Sequence, residues 1–170
     1  MIGSRVTACA VPEGSLLAEY GTPKDYRDCF ERIVPGEVTL PEFIERFYCS
    51  AAFLPERVVL AALGTPARSA DARALAQGEA ESFGAWKLVE RREARSSSEA
   101  GAQTRDEALL LSKETNTASW FAVEPVGDGE TSLRFGSWVG NLNESSWRFM
   151  EQPHVWYSRW LQGGVKSSQR

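Results

Sequence analysis

The chain reads as an α+β fold: a curved antiparallel sheet with a C-terminal helix across its concave face and additional N-terminal helices. Three observations carry this reading. Helical patterns cluster before residue 80, four runs of strand character follow in succession, and a helical segment returns near the end. Helices and strands segregated in this way pack as an antiparallel sheet with its helices gathered on one face or end.

The elements follow in order. Residues 5–11 (RVTACAV) alternate and are rich in small and β-branched side chains, the pattern of a short first strand. From Pro23, the residues Tyr26, Cys29, Phe30 and Ile33 recur at i, i+3, i+4 and i+7. That spacing predicts a helix, closed by Pro35 and Gly36. Thr39 with Glu42 three residues on has the form of a capping box, and Pro41 is tolerated in a first turn. Phe43, Ile44, Phe47 and Tyr48 make the apolar face of this second helix, while Glu42 and Arg46 can pair on its outside. Further helical pieces are expected at 55–63 and at 69–77 (SADARALAQ), ended by Gly64 and Gly78.

The strand runs are 83–92, 107–114, 118–124 and 131–139. Thr115-Asn116 and Gly127-Asp128-Gly129 are hairpin turns, Asp-Gly being a strong local signal. Residues 94–106, rich in Ser, Ala, Gly and Gln, read as a mobile hairpin tip. Pro153 suits the start of a last helix at 154–161 (HVWYSRWL), and 166–170 is a polar, frayed tail. One domain spans 1–170, an ordinary length for a single core.

Composition excludes several classes. Nineteen basic against 23 acidic residues give a net charge of −4, which argues against nucleic acid as a partner. No apolar run approaches a membrane span, and residues 1–5 lack the start of a secretory signal, so a cytoplasmic location is expected. A homo-oligomer is compatible with the composition. One His, and three Cys spaced by twenty residues, do not make a metal site; no cofactor is expected, and the cysteines read as ordinary buried thiols. Phosphate-loop, nucleophile-elbow and zinc-protease motifs do not occur.

The element order resembles the helix-grip fold of the START-like (SRPBCC) superfamily, which includes polyketide cyclases, lipid-transfer domains and allergen-like ligand carriers. More locally, 117–125 (TASWFAVEP), 133–138 (LRFGSW) and 154–159 (HVWYSR) look like an uncharacterised bacterial family near that superfamily. The resemblance implies a pocket between the sheet and the last helix.

Few residues are candidates for chemistry. His154 is the one side chain with an unperturbed pKa near neutrality, and it shares a helical stripe with Tyr157. Both are weak catalytic candidates and candidate ligand contacts; the plainer reading of His154 is a hydrogen-bonded helix-end residue. Arg134 interrupts an otherwise apolar strand. A two-residue Asp128-Gly129 turn sets it with Phe121, Val123 and Trp138, whereas a three-residue turn sets it with Trp120, Ala122 and Glu124. In the second case an Arg134–Glu124 pair is expected, and the alternative is a ligand carboxylate on Arg134. Trp120 and Trp138 are candidate pocket walls or plain core.

These residues support a protein that binds a small hydrophobic or aromatic ligand. A cyclase, dehydratase or isomerase using the same pocket, and a solid-core interaction domain, are the alternatives.

Overall fold

In the computed structural model, which describes residues 5–53, 68–94 and 104–140 with positions 58, 62 and 64 between them, seven strands form one open antiparallel sheet. They are β1 Thr7–Ala8, β2 Tyr26–Pro35, β3 Ser82–Phe83, β4 Trp86–Arg92, β5 Asp106–Ser112, β6 Thr117–Gly127 and β7 Glu130–Val139. Their spatial order is β1-β2-β7-β6-β5-β4-β3. Strands β3 to β7 form a meander, and β2 closes against the last of them.

The stretch expected to be a helix from Pro23 is instead strand β2. It pairs with β7 at ten positions, from Tyr26 opposite Val139 to Pro35 opposite Glu130. Phe30 and Val34 pack in the core on one face of the sheet, and Cys29 packs in the core on the other. A strand buried on both faces loses the alternation that identifies it, and here its residues also fall at helical spacing. The expected strand at 83–92 is split by a tight turn at Gly84, whose φ is +54°.

Three α-helices with described bounds accompany the sheet, α1 Leu16–Glu19, α2 Leu40–Tyr48 and α3 Ser69–Gln77, with one turn of 3-10 helix at Ala51–Phe53. Helix α2 starts as its sequence requires. The Thr39 hydroxyl accepts from the Glu42 amide, and the Glu42 carboxylate accepts from the Thr39 amide at 2.9 Å. Glu42 and Arg46 stand 3.9 Å apart on the exposed side. Helix α3 ends at Gly78 in the left-handed conformation, as its position after Gln77 suggests.

Helices α2 and α3 cover one face of the sheet. Phe43, Phe47, Tyr48, Phe121 and Phe135 are each at most 3% exposed there. Phe47 stacks on Phe135 with centroids 4.8 Å apart and meets Phe121 edge-on at 5.0 Å. This side is filled by its own rings. Helix α1 lies on the opposite face, burying Leu16 and Leu17 with Cys29, Leu109, Trp120 and Trp138. No described helix is long and apolar enough to cross a membrane.

The helix expected at 154–161, most of 55–63 and 94–106, and the tail lie outside the described residues.

Candidate functional site

Arg134 lies on the α1 face. The β6–β7 turn has two central residues, Asp128 at φ +51° and Gly129 at φ +70°, both of the left-handed kind that tight hairpins require. By itself this turn would place Arg134 opposite Val123, on the face of Phe121. A register shift between Pro125 and Gly127 adds one residue and reverses the outcome, so that Arg134 stands opposite Ala122. The arrangement with Trp120, Ala122 and Glu124 on the same face is therefore reached through a bulge and not through a three-residue turn.

The guanidinium is held by two carboxylates. Nε donates to Glu31 Oε1 at 2.9 Å and Nη1 to Glu124 Oε2 at 2.7 Å, while Nη2 lies 2.9 Å from the same Glu31 oxygen. Ser132 donates to Glu31 at 2.7 Å and Thr104 to Glu124. The three charged side chains are 19% to 25% exposed, so they stand at the boundary between core and solvent. Burial pushes the Glu124 carboxyl up, but the Thr104 hydroxyl and the Arg134 guanidinium outweigh it and hold it below the usual range. Arg105 acts on Glu124 as a second nearby cation.

The rest of the described α1 face is covered, and its apolar side chains surround one buried acid. Glu107, fully buried, accepts from the Trp120 indole at 2.7 Å and from the Leu16 amide at 3.1 Å. It thus satisfies the first free N–H of α1. At the other end of α1, Arg27 donates to the carbonyls of Leu17, Tyr20, Thr22 and Asp25. A carboxylate at the N-terminus and a guanidinium at the C-terminus match the polarity of the helix. This four-residue helix is fastened to the sheet at both ends. Trp138 donates to Asp25 at 3.2 Å and meets Tyr20 edge-on at 4.9 Å.

The α1 face therefore divides into an apolar half roofed by α1 and a charged half made of Glu31, Glu124, Ser132 and Arg134. Of the candidate residues, Arg134, Trp120 and Trp138 share this face, opposite α2 and α3. Trp120 and Trp138, 0% and 6% exposed, belong to the packed half. His154 and Tyr157 lie outside the described residues.

Sequence reasoning missed Glu31 and Glu107. Glu31 was hidden by the helix expected at its position. The signal for Glu107 was the second acid of Asp106-Glu107, two residues beyond Arg105 and directly before an apolar run. The side-by-side placement of Cys9 and Cys29 was missed for the same reason as Glu31. Their sulfurs are 3.1 Å apart, and the Cys9 amide donates to the Cys29 carbonyl at 2.9 Å. Among the described residues, no group of three or more His, Cys, Asp or Glu is arranged to hold a metal ion. No family model matches the chain, and no curated protein is significantly similar to it.

Proposed function

We propose that this protein binds a small apolar or aromatic molecule over the charged half of the α1 face, with Arg134 and its two carboxylates as the orienting polar groups. The observation that carries this reading is the contrast between the two faces. Rings pack under α2 and α3, whereas Arg134, Glu31 and Glu124 are joined by hydrogen bonds and ion pairs and still reach solvent. A pocket of this type combines apolar surface with a few fixed polar groups.

The two carboxylates suit a hydrogen-bond donor at the ligand's polar end. Arg134 already serves two carboxylates, so a third, from a ligand, would have to compete with Glu31 and Glu124 for its N–H groups. A hydroxyl, ring N–H or ammonium donor would instead be accepted by Glu31 or Glu124. The resemblance to START-like ligand carriers supports a binding role, as does the order strand, helical stretch, meander among the described residues from β2 to β7. In that reading a C-terminal helix crosses the sheet and completes the pocket, with His154 and Tyr157 as further contacts.

Mass spectrometry under native and then denaturing conditions tests the proposal on purified protein. A mass excess that is present in the first spectrum, lost in the second and absent from Glu124→Gln supports it. Identical masses in both, together with no thermal shift on adding amphipathic amines, would leave a solid-core interaction domain as the better description.

A further inference from the structure

We propose that Cys9 and Cys29 form a reversible disulfide that locks the α1 layer onto the sheet. The proposal rests on strand geometry and is independent of the ligand reading. Strand β1 pairs with β2 so that Thr7 faces Glu31 and Ala8 faces Phe30, which puts Cys9 opposite Cys29. The Cys9 amide bonds to the Cys29 carbonyl, so the two belong to a hydrogen-bonded antiparallel pair. Such pairs have Cα atoms about 5.5 Å apart, inside the roughly 4.4–6.8 Å window that a disulfide spans. Both side chains lie on the same face, with the sulfurs 3.1 Å apart. Closing to a bonded distance takes a movement of about 1 Å.

The two thiols differ in access. Cys29 is buried at 3% exposure, whereas Cys9 is half-buried. Cys9 is therefore the sulfur that meets an oxidant, and Cys29 is the resolving thiol. With a low-molecular-weight disulfide such as oxidised glutathione, the Cys9 thiolate attacks one sulfur and releases one glutathione thiol. Cys29 then loses its proton and attacks Cys9, releasing the second. The protein gives up two electrons and two protons, and one glutathione disulfide becomes two thiols. Burial raises both protein thiols above their ordinary range, which makes the reaction slow near neutrality.

The bond has a defined consequence. Strand β1 is only two residues long and exposed, an edge that frays readily. The loop between the cysteines contains all of α1 and the segment that Arg27 fastens over Trp138. A closed 9–29 bond turns this layer into a covalent ring and holds it over Trp120 and Trp138.

The test equilibrates the full chain in glutathione redox buffers at about pH 8, quenches with acid and labels the remaining thiols with a maleimide. The expected result is a single label, on Cys49, in oxidising buffer and three after dithiothreitol. A non-reducing peptide map should join Cys9 to Cys29, and the thermal midpoint should fall on reduction. Cys49→Ser keeps the link, and Cys9→Ser, at a half-buried position, loses it. Three labels in every buffer, a lasting glutathione adduct on Cys9, or links to Cys49 would overturn the proposal.

Discussion

The indole of Trp120 donates to the carboxylate of Glu107 at 2.7 Å, in a part of the sheet where both residues are fully buried. The same oxygen accepts from the Leu16 amide, so one carboxylate joins two strands to a helix start. Glu107→Ala leaves the Trp120 and Leu16 donors without this acceptor and Arg105, 4.0 Å away, without this carboxylate, and should cost about 3–5 kcal/mol. Glu107→Gln keeps an oxygen in place and should cost less than half of that. Urea unfolding followed by tryptophan fluorescence measures both, and equal losses would contradict the assigned role.

The Arg134 cluster should make stability depend on acid. Glu124 titrates below the usual carboxylate range when folded, so its contribution is present above the unfolded value, about 4.3, and is lost as pH falls through the folded one. At pH 7, Arg134→Met leaves Glu31 and Glu124 facing each other, at a cost of about 1–3 kcal/mol after allowing for solvent screening. As pH falls through the folded value of Glu124 its carboxylate takes up a proton, and the gap to wild type should narrow. A gap that stays constant with pH would show that the pair does not carry this energy.

Gly136 and Gly129 should respond differently to alanine. A Cβ at Gly136 would lie 2.4 Å from Leu17 Cδ2 and 2.7 Å from the Asp28 carbonyl oxygen, and the second cannot move without opening the β2–β7 ladder. Gly136→Ala should cost about 2 kcal/mol or more. Gly129 has open space around it but a φ of +70°, so Gly129→Ala should cost about 1 kcal/mol from backbone strain alone. Thermal unfolding of the two variants separates crowding from strain.

Thr39→Ala removes the hydroxyl that caps α2 and should lower stability by about 1 kcal/mol. Amide hydrogen exchange should rise first at Glu42, whose N–H loses its acceptor.

Local signals in the sequence were reliable wherever one residue type has one physical use. Thr39 with Glu42 announced the start of α2, Gly78 the end of α3, and Asp128-Gly129 the last hairpin. The failures came where two periodicities coincide. Tyr26, Cys29, Phe30 and Ile33 match a helical stripe, yet in β2 they fall on different faces, and Ile33 is 41% exposed. The face of Arg134 was set by an extra residue near Val126, which turn chemistry alone does not reveal. Once Cys29 was placed on a helix, neither its contact with Cys9 nor the role of Glu31 could be seen.

Amide chemical-shift mapping with two small aromatic probes, benzylammonium and benzoate, tests the binding site most directly. Benzylammonium should perturb Glu31, Glu124, Ser132 and Arg134 together, saturably, and lose this effect in Glu124→Gln. Shifts from benzoate at Arg134 instead, or no localised shift from either probe, would contradict a donor-selective site on this face.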